Sequence, residues 1–136
     1  MRAFLFGTVR LTPVIGDIGL LVLRVFTGLS LALAHGWGKL PPGEGFLRTV
    51  TNLGFPAEMA WLTSIAEFFG GLALAVGLLT RPAALAIAIN FVVVGFVAHA
   101  NDPYLRKELP FLFLAASFMF LCTGGGRFAV DRLIRR

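Results

Sequence analysis

The amino-acid sequence predicts an all-α membrane protein built as a bundle of four transmembrane helices. Of its 136 residues, 57% are hydrophobic and only 14% are charged, whereas soluble domains carry about 25% charged residues. Four apolar runs, at about 15–34, 58–79, 83–100 and 109–123, are separated by short polar stretches. A membrane-spanning helix needs ~20 mostly apolar residues, so four spans use nearly the whole chain. We therefore expect residues 1–136 to form a single transmembrane domain.

Residues that favour turns separate the four runs. Two glycines and two prolines within residues 36–42 are expected to end the first helix, because proline lacks the N–H that a helix interior requires. The stretch 80–82 (Thr-Arg-Pro) predicts a tight turn, with Pro82 in the first turn of the third helix. Residues 101–103 (Asn-Asp-Pro) predict the next turn, and Pro110 is expected in the first turn of the fourth helix.

The segment 43–55, between the first two runs, is too short and too polar to span a bilayer. Its apolar residues recur at near-helical spacing: Phe46, Leu47, Val50, Leu53 and Phe55. Such a pattern is typical of an amphipathic helix that lies in the membrane interface. We expect this segment to lie across one mouth of the bundle.

The charge distribution favours a membrane topology over nucleic-acid binding. The net charge is +5, but the basic residues stand singly between apolar runs, so we expect no nucleic acid as a partner. Seven basic residues fall on the side of the two termini: Arg2, Arg10, Arg81, Arg127, Arg132, Arg135 and Arg136. Four fall on the other side: Lys39, Arg48, Arg106 and Lys107. Because cytoplasmic loops are enriched in Lys and Arg, we expect a multi-pass protein with both termini in the cytoplasm.

Two charged residues fall within apolar runs. Arg24 lies nine residues into the first run and Glu67 nine residues into the second, which places each ~14 Å from its entry point at ~1.5 Å per residue. A lone charge there costs at least ~2.5–3.5 kcal/mol. Because adjacent spans are antiparallel, we expect an Arg24–Glu67 ion pair, with Asn90 of the third run at a similar depth. The pair could fix helix register only, or it could bind or protonate a ligand.

Polar residues also gather at the outer ends of the predicted spans. His35 ends the first span, Lys39 follows four residues later, His99 ends the third span, and Glu108 opens the fourth. All four are expected at one depth beneath the amphipathic segment. They predict a pocket that opens outward, is polar at its rim, and is closed at the level of the ion pair.

Helix periodicity decides which of these residues can share a face. At about 100° per residue, Arg24 and His35, eleven residues apart, share a face. Asn90 and His99, nine residues apart, point to opposite faces of an unbroken helix. The two histidines have neither an i, i+4 nor an HExxH spacing, so we assign no metal site.

The single cysteine, Cys122, limits the redox chemistry of the chain. One cysteine excludes an intramolecular disulfide and a CxxC pair, and no base is expected beside Cys122 to activate its thiol. The sequence also contains no haem-binding CxxCH motif and no P-loop. No cofactor is evident from these motifs, and whether the protein is an enzyme stays open.

Several short stretches occur in an order that resembles the DoxX family of small bacterial membrane proteins. They are 23–24 (LR), 35–40 (HGWGKL), 54–56 (GFP), 67–72 (EFFGGL), 77–84 (GLLTRPAA), His99, 108–109 (EL), and 124–127 (GGGR) with Asp131. The resemblance covers nearly the whole chain. It implies a four-span bundle in the bacterial cell (inner) membrane.

The resemblance also implies a role beside redox chemistry. The family takes its name from a subunit of an archaeal thiosulfate:quinone oxidoreductase, and some members are linked to oxidative or thiol stress. The fold is distantly similar to quinone-reacting membrane enzymes that use paired cysteines, a route that one cysteine excludes. The first hypothesis is a redox-associated subunit that holds a quinone or small solute between its helices and has a redox partner protein. The alternatives are a non-catalytic scaffold or partner-binding subunit, and a small transporter that would need to form homo-oligomers.

Overall fold

A computed structural model describes residues 14–134, and within them all regular structure is helical. The six α-helices are α1 (Val14–Leu29), α2 (Glu44–Asn52), α3 (Glu58–Val76), α4 (Thr80–Val93), α5 (Tyr104–Thr123) and α6 (Asp131–Ile134). Two of them continue without a break into wider, π-helical segments: α1 into Ser30–Gly36 and then a 3₁₀ turn, Trp37–Lys39, and α4 into Val94–Ala98. The all-α fold class is confirmed. Four residues of the charge count, Arg2, Arg10, Arg135 and Arg136, lie outside the described residues.

Three of the helices are long and apolar enough to cross a membrane. They are Val14–Lys39, Glu58–Val76 and Thr80–Ala98, which correspond to the first three predicted runs. The helix α5 is also 20 residues long, but its first two turns carry three charged residues, so its uncharged part begins at Leu109. The membrane character of the fold therefore rests on α1, α3 and α4 with their extensions.

The first span is longer than the sequence predicted. Helical structure does not stop near Ala34 but runs to Lys39, because the backbone changes its hydrogen-bond spacing instead of ending. The N–H of Trp37 donates to the carbonyl of Ala32, five residues back, which keeps the chain helical through Gly36. The helix ends where Leu40 becomes extended, as expected for the residue before a proline.

The turn between α3 and α4 lies three residues earlier than predicted. Gly77 and Leu79 have left-handed backbones, with φ of 76° and 49°, and Thr80 already begins α4. The prediction of a turn at 80–82 was wrong because the left-handed residues Gly77 and Leu79 already reverse the chain before Thr80. Pro82 lies in the first helical turn, as predicted, where its missing N–H has no partner to lose. Gly77 ends α3 by donating its N–H to the carbonyl of Ala73 at 2.9 Å.

The fourth helix begins five residues earlier than predicted. Pro103 is extended, with ψ of 156°, and caps α5, which begins at Tyr104. Pro110 therefore lies inside the helix rather than in its first turn. The apolar run alone predicted the start at Leu109, because it ignored the charged residues that form the exposed first turns.

Glycines set the close contact between α1 and α3. A Cβ on Gly28 would lie 2.6 Å from the backbone nitrogen of Ala75, and one on Gly36 would lie 2.6 Å from that of Phe68. Small residues at such crossings let helix backbones approach closely in a membrane. A cluster of buried apolar side chains from all four long helices forms the core: Leu20, Leu31, Leu74, Ala84, Ile87, Phe91, Phe113 and Phe120.

Candidate functional site

A buried carboxylate lies at the centre of the candidate site. The side chain of Glu67 on α3 is 3% exposed, and its Oε2 lies 2.6 Å from Nζ of Lys39. Its other oxygen, Oε1, accepts a hydrogen bond of 3.2 Å from Nδ2 of Asn90 on α4. Three helices thus each contribute one polar group to this cluster. Lys39 neutralises the charge of Glu67, and the structure brings Glu67 and Asn90 together as the sequence suggested.

The predicted Arg24–Glu67 ion pair is wrong. Arg24 donates instead to the backbone carbonyls of Gly125 (3.0 Å) and Phe128 (3.2 Å). The helix that begins with α1 extends to Lys39, and its Gly36 packs on Phe68 of α3. Glu67 therefore lies at the same depth as residue 36, which is twelve residues beyond Arg24. At ~1.5 Å per residue, that separates the two charges by roughly 18 Å along the helix.

Arg24 belongs to a second polar cluster at the opposite end of the bundle. There the carboxylate of Asp131 accepts from the N–H groups of Leu79 (2.6 Å) and Thr80 (2.8 Å). The chain after α5 is therefore tied to both α1 and the α3–α4 turn. The sequence analysis did not identify Asp131 as the residue that caps the start of α4. The signal that could have identified it is an isolated acidic residue in an otherwise basic tail after three glycines.

A cavity of about 680 Å³ lies next to Glu67. Of the predicted mouth residues, His35, Lys39 and His99 line it together with Glu67 and Asn90. The predicted mouth pocket and the predicted buried network therefore form one site, apart from Arg24. Most of the remaining lining is apolar and comes from α2, α3, α4 and α5.

Glu108 is the predicted mouth residue that does not line the cavity. It is exposed, whereas Arg106, Leu109, Pro110 and Phe113 of the same helix are in the lining. Since α5 begins at Tyr104, helix geometry turns Glu108 about 100° away from Leu109 and about 160° away from Arg106. The prediction of Glu108 was wrong because it placed the residue before the helix rather than on its outer face.

The π-helical segment Val94–Ala98 explains why His99 and Asn90 share the cavity. An unbroken α-helix would point them to opposite faces, as predicted. The Val94–Ala98 segment has more residues per turn than an α-helix, so the periodicity shifts between Asn90 and His99. Arg24 and His35 both face the interior of the bundle, as predicted: Arg24 is buried and His35 lines the cavity. The prediction for Asn90 and His99 assumed an unbroken α-helix and was wrong for this reason.

The histidines occupy different environments. The ring of His35 packs edge-on against Phe113, with centroids 5.7 Å apart. Nδ1 of His99 lies 2.7 Å from Oδ2 of Asp102, and Arg106 lies 3.7 Å from the other oxygen of that carboxylate. The hydrogen bond with His99, helped by the charge of Arg106, lowers the pKa of Asp102 from its ordinary value. His99 is thus held at the rim, while His35 lies among aromatic side chains.

The helix α2 covers the cavity. Three of its side chains line the cavity, Phe46, Thr49 and Val50, and so does Leu53, which directly follows the helix. Nζ of Lys39 lies 5.1 Å from the ring centroid of Phe46, a distance suited to a cation–π interaction. Lys39 therefore contacts both the buried carboxylate and the covering helix.

The site can hold a small molecule with polar and apolar parts. It offers hydrogen-bond donors from Lys39, Asn90 and the imidazoles, one carboxylate acceptor, and a large apolar wall. Within residues 14–134, no three His, Cys, Asp or Glu side chains gather as metal ligands. Cys122 is exposed near the far end of α5 and is not part of the lining.

Comparison with known proteins places the chain in a family. It is 34% identical over 124 residues to the inner membrane protein YqjF of Escherichia coli K12, which covers 88% of this chain and 95% of that protein. It is 29% identical over 119 residues to "Putative oxidoreductase CatD" of Bacillus subtilis 168, covering 87% and 88% respectively. No solved structure matches. Residues 19–100, which include Lys39, Glu67 and Asn90, match DoxX, and the chain therefore belongs to the DoxX family of membrane proteins.

Proposed function

We propose that this protein binds a small molecule with a quinone-like polar headgroup in the cavity beside Glu67, as a redox-associated membrane subunit. The observation that carries the proposal is a buried carboxylate, matched by Lys39 and Asn90, in the wall of an otherwise apolar cavity of about 680 Å³. Ligand pockets in proteins have this size and this combination of apolar walls and few polar groups.

The polar groups suit a headgroup that carries carbonyl or hydroxyl oxygens. Carbonyl oxygens need donors, which Lys39, Asn90 and His35 supply, and a hydroxyl can donate to Glu67. Because Lys39 already balances the charge of Glu67, the cluster is neutral as a whole. A neutral headgroup therefore enters without leaving a buried charge unpaired.

The redox part of the proposal rests on the family and on the name of the Bacillus relative, "Putative oxidoreductase CatD". The chain has one cysteine, so electrons cannot pass through an internal dithiol. We therefore place the protein as a ligand-holding subunit that works with a redox partner protein, rather than as a complete oxidoreductase.

The proposal includes a membrane arrangement with four spans and both termini in the cytoplasm of a bacterial cell (inner) membrane. The uncharged part of α5, from Leu109 to Thr123, packs beside α4 and would form the fourth span, and α2 would lie in the interface. Exposed aromatic residues typical of an interface, Trp37, Trp61 and Tyr104, all lie at the end that bears α2. Residues 1–136 then form one domain.

Topology is tested by cysteine labelling in a Cys122→Ser background. A cysteine at Ile134 should react with a membrane-impermeant maleimide only after the cells are opened, whereas one at Gly43 should react from outside. Labelling of Ile134 from outside would reverse the orientation.

The binding proposal is tested by mass spectrometry of quinones and lipids that remain bound after gentle detergent extraction. We expect a quinone-class molecule with the wild-type protein and its loss in Glu67→Gln and Asn90→Leu. Ser64→Ala is the matched control, because Ser64 is buried on the same helix but bonds only to the carbonyl of Ala60. An empty cavity together with a stoichiometric non-redox partner would favour the scaffold alternative.

A further inference from the structure

We infer that the cavity opens sideways, between α3 and α4, into the hydrocarbon phase of the bilayer. Its ligand would be an amphiphile whose apolar tail occupies this opening while its headgroup contacts the Lys39–Glu67–Asn90 cluster. This inference rests on the proposed function and names the class of molecule that the site accepts.

The first evidence is the exposure of residues that also line the cavity. On α3, Leu62 and Ile65 are 57% and 44% exposed, and on α4, Ile89 is 60% exposed. All three belong to the cavity lining. Side chains that face both the interior space and the outside mark an opening, so the wall is incomplete along the α3–α4 seam.

The depth of this seam excludes water as its surroundings. Ile89 lies nine residues from the start of α4 and Ile65 seven residues from the start of α3. At ~1.5 Å per residue, Ile89 is ~14 Å from the end of α4 that adjoins the α3–α4 turn, and Ile65 is ~10 Å from the end of α3 that adjoins α2. Both depths lie within a ~30 Å hydrocarbon core, so the opening faces acyl chains.

Two other sides of the cavity are lined by close contacts. Toward α6, a Cβ added to Gly70 would lie 3.5 Å from the side chain of Ile87, so α3 and α4 are in close contact there, and Asn90 donates to Glu67 one helical turn nearer to α2. Toward the outer end, α2 covers the cavity with Phe46 and its neighbours. Other exposed lining residues, Met59, Arg106 and Leu109, lie within the first two turns of α3 or α5 at the outer end. Ile65 and Ile89 lie deeper in their spans, so the seam is the opening through which a large apolar group would reach the hydrocarbon.

The distribution of polarity fixes which part of the ligand goes where. Lys39 and His35 come from α1, and Glu67 is almost fully buried behind the seam. The seam itself is formed by Leu62, Ile65 and Ile89. A tail at the headgroup position could not accept from the remaining N–H groups of Lys39 and Asn90, whereas a headgroup at the seam would contact lipid tails.

The experiment uses the protein in phosphatidylcholine nanodiscs with two probes. One is a benzoquinone with a ten-carbon tail that ends in a photoreactive diazirine, and the other is the same headgroup without a tail. Native mass spectrometry measures binding of both, and peptide mapping locates the photolabel. The variant Ile89→Trp narrows the seam; Val92→Trp is the control, since Val92 is 44% exposed on the same helix but is not in the lining.

We expect the label within residues 59–65 and 86–93. Ile89→Trp should lower occupancy by the tailed probe about tenfold, which corresponds to ~1.4 kcal/mol, and leave the tailless probe unchanged. Val92→Trp should change neither. Label on α2 or α5, or equal effects of the two tryptophan variants, would overturn the lateral opening while leaving the proposed function intact. Failure of the wild type to bind either probe would instead overturn the proposed function.

Discussion

The Lys39–Glu67 pair predicts an asymmetric response to removal of its two charges. The two side chains differ in exposure, at 30% for Lys39 and 3% for Glu67. Lys39→Met leaves a buried carboxylate with Asn90 as its remaining partner, and breaking a buried pair in this way costs ~3–5 kcal/mol. Glu67→Gln leaves a lysine that can turn to water, so we expect a loss of only ~1 kcal/mol.

The two changes should also be coupled. In the double variant no charge is left unpaired, so the total loss of unfolding free energy should fall short of the sum of the single losses by at least ~1 kcal/mol. The assay is reversible unfolding in mixed micelles, followed by circular dichroism. Equal losses from the single variants, or additive losses in the double variant, would show that the pair is not the buried interaction described above.

Three further predictions concern other parts of the fold. Gly28→Val should lower stability by about 1–3 kcal/mol, because its side chain would push α1 away from α3, whereas Gly19→Val, where a Cβ meets nothing within 4 Å, should have little effect. Arg24→Met should speed hydrogen exchange in residues 124–134 well beyond the change in Arg24→Lys, because the guanidinium holds the carbonyls of Gly125 and Phe128; equal exchange in both variants would contradict this. The lowered pKa of Asp102 means that its contribution to stability is present above the ordinary carboxyl pKa of about 3.9 and is lost as pH falls through the lower folded value. Thermal stability should therefore drop more between pH 5 and pH 3 in the wild type than in Asp102→Asn.

The sequence was sufficient to predict three of the spans but not the rotational orientation of their side chains. Apolar runs and turn residues located α1, α3 and α4, because hydrocarbon thickness fixes how many apolar residues a span requires. The meeting of Glu67 and Asn90 was also predictable, since two antiparallel spans joined by a short turn place residues at equal distance from that turn side by side.

The partners of Arg24 and Glu67 could not be predicted in the same way. The depth argument placed both charges at mid-membrane, because it ended α1 near Ala34. Whether a backbone continues past glycine by changing its hydrogen-bond spacing depends on packing against Phe68, which no local pattern encodes. Lys39 consequently looked like a loop residue, although it is the counter-charge of the site.

The tail contacts lay beyond sequence reasoning for a different reason. Asp131 caps a helix that begins 51 residues earlier in the chain, and such a cap leaves none of the local spacing by which N-caps are recognised. Only the placement of an acid among arginines pointed to it.

The two π-helical segments divide α1 and α4 into parts that can change separately. Because each segment has more residues per turn than an α-helix, the side chains beyond it point in directions that the preceding α-helix does not determine. A substitution or one-residue deletion within Ser30–Gly36 would rotate His35 out of the cavity, and one within Val94–Ala98 would do the same to His99. Neither change would turn the lipid-facing surfaces of Val14–Leu29 and Thr80–Val93. Relatives could therefore alter what the outer half binds while keeping the same anchored half in the bilayer, and single-residue length changes within these two segments are where such divergence should be sought.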